Sequence, residues 1–269
     1  MLDEVDSLLL SKERILIASD FDGTLCPIVD RPDAARLPPE TAGILLRADK
    51  CSRLMLAVIS GRALDDIRTL VPSASICAGN HGLEISGAGF NFFHHEAGQS
   101  NALLRSACET LSAALLAWPA AWVEQKGLSA TLHFRQVAES QHRPLLLAAT
   151  RSLSVFGSRF ALHAAKRALE IRPSVQWDKG AALEYIRERA GPFDACICLG
   201  DDRTDESMFL ANSGQLNVRV GRSTESTADC YVSDPREVAT LLSHVVDVCN
   251  SGLFPKPRIE GLFPAHVSG

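Results

Sequence analysis

The 269-residue chain is 46% hydrophobic and 22% charged with a formal net charge of −5, the make-up of a globular protein with one large domain or two modest ones. That balance gives no broad basic footprint for nucleic acid or an anionic membrane, so a small molecule is the expected partner. No apolar run approaches a membrane span, and Met1 to Asp6 is acidic where a secretory leader is basic; a cytoplasmic location is expected, and a monomer fits.

The apolar run Ile15-Leu16-Ile17-Ala18 reads as a buried parallel strand that ends in Asp20-Phe21-Asp22-Gly23-Thr24-Leu25. Two carboxylates at a strand tip lie where open α/β sheets bind ligands. At spacing i, i+2 they project from one face, so one can attack while the other handles a proton. Two adjacent anions resist ionising together unless a cation lies between them, which implies a hard ion such as Mg²⁺. A turn-capping Asp is the plainer alternative, and the rest of the chain must decide.

A proline-punctuated stretch (Pro27, Pro32, Pro38, Pro39) precedes a helix opening near Glu40. The run Leu54 to Ile59 then ends in Ser60-Gly61-Arg62, and a helix-like segment from about Ala63 to Leu70 follows. A strand tip that feeds a helix amino terminus favours an anion, with Ser60 adding a hydroxyl and Arg62 a charge. A third strand, Ala74 to Ala78, ends at Gly79-Asn80-His81-Gly82-Leu83-Glu84, where glycine around an imidazole suits either close ligand approach or a hydrogen-bonded fixture. His94 and His95 lack partners at metal-ligand spacing and are expected to pack or lie on the surface.

From Gln99 to Pro173 the pattern changes to helix (Asn101 to Ala117), two strands (Trp122 to Lys126, Ser129 to Arg135), helix (Pro144 to Val155) and two strands (Phe160 to Ala164, Ala168 to Arg172). Adjacent strands with short turns imply antiparallel pairs and an inserted small sheet. Parity puts Val123, Leu132, Phe134, Leu169 and Ile171 on apolar faces and Glu124, Lys126, His133, Arg135, Glu170 and Arg172 on polar ones. That polar face is either an ordinary solvated surface or a lid that grips hydroxyls of a polar substrate.

Alternation then resumes. Asp178 is a candidate cap for a helix running to about Arg189, which puts Lys179 at its positive end, a position that suits a bound anion. The run Ala195 to Leu199 ends in Gly200-Asp201-Asp202-Arg203-Thr204-Asp205-Glu206, another acidic tip ahead of a helix from about Glu206 to Asn212. The eight cysteines are scattered among apolar neighbours and are expected to be buried thiols in a reducing compartment; Cys196 and Cys198 are expected in the core with sulfurs on opposite faces of a strand. The segment after Ser251, with Pro255, Pro257 and Pro264, is expected to be a loose extension. Acidic tips, a hydroxyl, and a lysine at a helix start together make a set of nucleophile, cation ligands and phosphate donors, so an enzyme is expected.

The order Asp20-x-Asp22-Gly23-Thr24, Ser60-Gly61-Arg62, Lys179-Gly180 and Gly200-Asp201-Asp202-x-Thr204-Asp205-Glu206 resembles the haloacid dehalogenase superfamily of Mg²⁺-dependent phosphatases. More narrowly, Gly79-Asn80-His81-Gly82-x-Glu84, Glu124-x-Lys126-Gly127, Leu132-His133-Phe134-Arg135 and Glu170-Ile171-Arg172-Pro173 are similar to its trehalose-6-phosphate phosphatase family. The resemblance implies a Rossmann-like parallel-sheet core over residues 1–98 and 174–269, with an inserted α+β cap over 99–173 as the specificity lid. It implies Asp20 as nucleophile, Asp22 as acid and then base, and Ser60 and Lys179 on the phosphoryl oxygens. Asp20, the backbone carbonyl of Asp22 and Asp201 would hold Mg²⁺, with Asp202 and Asp205 supporting. Thr24, Gly61, Arg62, Asn80, His81, Glu124, Lys126, Arg135 and Glu170 would contact the substrate. Sucrose-6-phosphate and mannosyl- or glucosyl-3-phosphoglycerate phosphatases are the alternatives, and a non-catalytic sugar-phosphate sensor is a more distant one.

Overall fold

The structure is a computed structural model that describes residues 2–9, 12–165 and 167–251. The segment beyond Ser251, expected to be a loose extension, lies outside the described residues. Short runs of branched aliphatic residues form the strands of the larger sheet: β1 (Ile15–Ser19), β2 (Leu54–Ile59), β3 (Ile76–Gly79), β4 (Glu84–Gly87) and β5 (Phe90–Phe93). The chain then builds β6 (Trp122–Gln125), β7 (Ala130–His133), β8 (Phe160–Ala165) and β9 (Ala168–Pro173) before returning with β10 (Ala195–Gly200), β11 (Leu216–Val220) and β12 (Cys230–Val232). The large sheet has the order β12-β11-β10-β1-β2-β3-β4-β5; its first six strands are parallel, and β4 and β5 add an antiparallel edge. The small sheet, β6-β7-β9-β8, is antiparallel throughout.

The central strands are buried on both faces, as an all-apolar parallel strand must be. Ile15 and Ile17 of β1 pack in a core with residues of the helices Leu2–Leu9, Pro39–Asp49 and Pro235–Asn250, while Leu16 and Ala18 pack in a second core with Ala182, Leu183 and Ile186. The expected alternation therefore holds. Cys196 and Cys198 are a correction: they share the second core, with sulfurs 3.9 Å apart. Residues i and i+2 of a strand lie on one face, so the expectation of opposite faces was a parity error. Six of the eight cysteines are buried.

In the small sheet, Ala130, Leu132, Leu169 and Ile171 form a separate core with Leu104, Ala107 and Leu111 of the helix Asn101–Ala114 and Leu145, Ala149 and Leu153 of the helix His142–Leu153. The apolar parity read from sequence is thus the packed face, and both helices cover it. The β4–β5 hairpin was not anticipated: Gly87, Ala88 and Gly89 turn with positive φ, and Phe92 stacks on Trp177 with ring centroids 4.7 Å apart. His94 packs edge-on against that tryptophan and caps the helix that follows, in keeping with the packing role expected of it.

Because β10, β1, β2 and β3 are neighbouring and parallel, their carboxyl ends lie side by side and deliver Asp201, Asp20, Ser60 and Asn80 along one edge. The fold brings separate motifs to one place in this way, as the switch-point rule for such sheets requires.

Candidate active site

Lys179 organises the acidic centre. It is the first residue of the helix Lys179–Ala190, whose cap Asp178 accepts a hydrogen bond from the Ala181 N–H. Its Nζ donates to Asp20 Oδ1 and to Asp205 Oδ1, each at 2.7 Å, and all three side chains are buried. Asp205 spends its other oxygen on the backbone N–H groups of Asp201 and Asp202, both at 2.9 Å. Carboxylate oxygens of Asp20, Asp201 and Asp205 lie within 4.8 Å of one another. Burial, joined by repulsion from the neighbouring aspartates, raises the Asp20 carboxyl well above the ordinary range even with Lys179 opposing it. The two flanking carboxylates likewise hold the Lys179 ammonium charged, its pKa raised.

Gly23 is required where it stands. Its φ is +86°, and a Cβ there would lie 2.3 Å from Asp201 Oδ2, so only glycine lets the first acidic loop reach the second. Asp22 turns away from the triad to a bidentate ion pair with Arg62, at 2.7 Å for both Nε and Nη2. Arg62 also donates to the Pro32 carbonyl at 3.0 Å. Thr24 is buried with its hydroxyl unpaired among the described residues. Ser60 is buried at the tip of β2, its Oγ accepting from the Arg62 N–H at 3.3 Å.

The small sheet reaches this edge with its polar face. A cleft of about 180 Å³ is lined from the large sheet by Asp22, Arg62, Asp201 and Asp202, and from the small sheet by Glu124, Lys126, Arg135 and Glu170. Lys126 Nζ donates to the Gly61 carbonyl at 3.2 Å, tying the small sheet to the phosphate-type loop. Burial opposes ionisation of Glu124, but His133 at 2.7 Å and the charge of Lys126 overcome it and lower its pKa. Glu170 is held well below the usual range by His81 and Arg172.

Asn80 and His81 lie beside that cleft, not in its lining. Asn80 Nδ2 donates to Glu84 Oε2 at 2.6 Å and to the Lys126 carbonyl at 2.8 Å, and its Oδ1 accepts from Ser129 Oγ at 2.6 Å. Its amide is thus spent joining the two sheets. Asn80 and His81 both have positive φ, +51° and +59°, a conformation Asn and His tolerate better than most side chains. His81 Nε2 lies 3.2 Å from Glu170 Oε2, and a Cβ on Gly61 would fall 2.6 Å from that nitrogen. Of the two roles left open for this histidine, the structure favours the hydrogen-bonded fixture.

Burial pushes the His81 imidazole down to about 4, with Arg172 and Lys179 adding to the effect and Glu170 opposing it. An unfolded chain protonates this histidine first as pH falls from its ordinary 6.5, so its stabilising contribution is complete at neutral pH and declines toward pH 4. Urea unfolding should therefore show a loss of about 2–3 kcal/mol between pH 7 and 4.5 from this group alone. His81→Asn, which suits the positive φ, should lose less by that amount; parallel pH dependence in the two proteins would refute the assignment.

Sequence reasoning singled out the acidic and basic members of this site and passed over Thr131, which also lines the cleft. Its signal was parity, two residues before His133, but threonine is so common in strands that composition hides it.

The profile of the trehalose-phosphatase family matches residues 18–235. A probable trehalose-phosphate phosphatase I of Arabidopsis thaliana is 32% identical over 254 residues, spanning 87% of this chain and 68% of the relative. The chain belongs to the trehalose-phosphatase family. It is a phosphoric monoester hydrolase. The fold has solved counterparts in the Candida albicans trehalose-6-phosphate phosphatase C-terminal domain (22% identity, TM-score 0.78, 91% of this chain and 94% of that one) and in a haloacid dehalogenase-like hydrolase of Bacteroides thetaiotaomicron (15%, 0.62, 86% and 99%). The likeness to these structures is one of fold, a mostly parallel large sheet with a second, small sheet beside it. No described helix is long and apolar enough to cross a membrane.

Proposed function

We propose that the protein hydrolyses trehalose 6-phosphate to trehalose and phosphate through an aspartyl-phosphate on Asp20, and so completes a route of trehalose synthesis. The observation that carries this reading is the single cleft in which Asp22 and Asp201 of the core meet Glu124, Lys126 and Glu170 of the cap. A phosphate ester fits the first group, and a polyhydroxylated leaving group fits the second.

The donor set suits a hard divalent ion. Two of the three buried carboxylates, Asp20 and Asp205, share the Lys179 ammonium, the Asp201 carboxylate lies beside them, and carboxylate oxygens are what Mg²⁺ prefers. Asp205 is already committed to Lys179 and two backbone N–H groups, which favours Asp20 and Asp201, with the Asp22 carbonyl, as the direct ligands and Asp205 and Asp202 as support. When bound, Mg²⁺ would neutralise the carboxylates and stabilise negative charge on the phosphoryl oxygens.

The Asp20 carboxylate attacks phosphorus, and the bond from phosphorus to the sugar oxygen breaks as Asp22 protonates that oxygen. The Asp22 carboxylate then takes a proton from water as the water attacks the acyl phosphate, releasing phosphate and restoring Asp20. Ser60 and Lys179 hold the transferring oxygens. Asp22 sits in the bidentate ion pair with Arg62 and must part from it to reach the sugar oxygen. In the cap, residues 99–173 act as the lid: Glu124, Lys126, Arg135 and Glu170 receive sugar hydroxyls, and Asn80 and His81 fix the lid against the core. Buried cysteine thiols such as Cys26, Cys77 and Cys198 suit a reducing cytoplasm.

Phosphate release from trehalose 6-phosphate, sucrose 6-phosphate, mannosyl-3-phosphoglycerate and glucose 6-phosphate, each with Mg²⁺ and with EDTA, tests the reading. A strong Mg²⁺-dependent preference for the first is expected. Preference for another ester would keep the core chemistry and overturn the lid assignment, while tight binding without turnover would indicate a sensor. Glu124→Ala should lower kcat/KM for trehalose 6-phosphate by roughly 10- to 100-fold relative to p-nitrophenyl phosphate, the scale of a lost charged hydrogen bond. Equal losses on both esters would mean the cap face does not read sugar.

A further inference from the structure

Thr131 lies within β7, the strand between β6 and β9 in the cap sheet. Its register partners are Glu124 on β6 and Glu170 on β9, so the three side chains form one row across the sheet, and all three line the cleft. Thr131 is only 3% exposed, and its Oγ1 is buried with no hydrogen-bond partner among the described residues. This is unusual for a hydroxyl flanked by two carboxylates, each able to accept from it. The flanking carboxylates draw their donors from elsewhere: Glu124 from His133 Nε2 at 2.7 Å, and Glu170 from Arg172 and from His81 Nε2 at 3.2 Å.

A buried hydroxyl left unpaired weakens the folded state, and such groups call for a specific account. Packing does not supply one, because valine has the same shape without the cost. Cross-strand neighbours stand about 5 Å apart, the scale that separates alternate hydroxyls on a pyranose ring. A carboxylate only accepts, whereas a threonine hydroxyl both donates and accepts. The row therefore offers acceptor, donor-acceptor and acceptor in sequence, a pattern suited to alternate hydroxyls of a glucose-type ring.

We propose that Thr131 is a specificity-determining residue, its hydroxyl pairing with a ring hydroxyl of the non-phosphorylated sugar between those received by Glu124 and Glu170. This rests on the sugar-phosphate reading above and adds a residue to it. The bound sugar satisfies the one member of the row that the protein leaves unpaired.

The test compares Thr131→Val and Thr131→Ser with the unsubstituted enzyme on trehalose 6-phosphate and p-nitrophenyl phosphate, with a thermal melt of each protein. Thr131→Val should lower the ratio of the two kcat/KM values about tenfold, the scale of one hydrogen bond to a site left unpaired, and should weaken inhibition by free trehalose. Thr131→Ser should stay within about twofold of the unsubstituted ratio, since it keeps the hydroxyl. The Thr131→Val protein should melt no lower than the unsubstituted one. An unchanged ratio in Thr131→Val, a Thr131→Ser that fails like valine, or a lower melting temperature that accompanies the valine loss would each overturn the proposal. If the unsubstituted enzyme hydrolyses p-nitrophenyl phosphate but not trehalose 6-phosphate, the trehalose reading itself has failed.

Discussion

Asp20→Asn should abolish turnover, with kcat falling by at least about 10⁴-fold, as expected when a covalent nucleophile is removed from an otherwise intact site. The same substitution should raise the melting temperature in EDTA. Burial and three neighbouring aspartates drive the Asp20 pKa up against the single opposing charge of Lys179, so ionised Asp20 weakens the fold at neutral pH. A carboxyl whose folded pKa is raised costs stability once pH exceeds its unfolded value, and an amide avoids that cost while still accepting from Lys179. A gain of a few degrees, roughly 3–6 °C, corresponds to about 1–2 kcal/mol for a chain of this size. Mg²⁺ should reverse the ranking: it binds the folded unsubstituted protein and raises its melting temperature by mass action, and should do so far less for the variant. A melting temperature of the unsubstituted protein that ignores Mg²⁺ would refute the cation site independently of any activity measurement.

The parts of this site that could be read from sequence are those fixed by strand tips. An apolar run such as Ile15 to Ala18 can hardly be anything but a buried parallel strand, and Asp20, two residues beyond it, must then emerge at the sheet edge. The same logic located Ser60, Asn80 and Asp201, and parity separated the packed face of the cap from the face bearing Glu124 and Glu170. Side-chain partners were not legible, because they depend on distances between segments far apart in the chain. Nothing in the order of residues says that Asp22 closes on Arg62, or that the Asn80 amide is consumed by Glu84, Lys126 and Ser129. The β4–β5 hairpin was missed for a related reason. Its strands are four residues each and half exposed, so they lack the apolar run that marks the central strands, and their place at the edge is secured by Phe92 against a tryptophan some 85 positions away in the chain.

Lys179→Met should have the opposite effect on stability and a comparable direction of effect on activity. Methionine keeps the apolar stem and removes the ammonium shared by Asp20 and Asp205. Breaking a buried ion pair by deleting one partner typically costs about 3–5 kcal/mol, because the surviving charges stay buried and uncompensated. A drop of roughly 10 °C or more in melting temperature in EDTA is expected, together with a loss of about 10²- to 10³-fold in kcat, the scale of one removed donor to a developing anion. Adding Asp20→Asn to this variant should restore part of the stability, since it removes one of the two orphaned carboxylates, while Asp205 continues to lack its partner. The two single substitutions thus act on one local charge balance from opposite sides. Neutralising one of the crowded anions relieves it, and neutralising the Lys179 ammonium aggravates it. If both variants melted below the unsubstituted protein by similar amounts, Lys179 and Asp20 would be acting through packing alone, and the electrostatic account of why a divalent ion belongs beside them would fall with it.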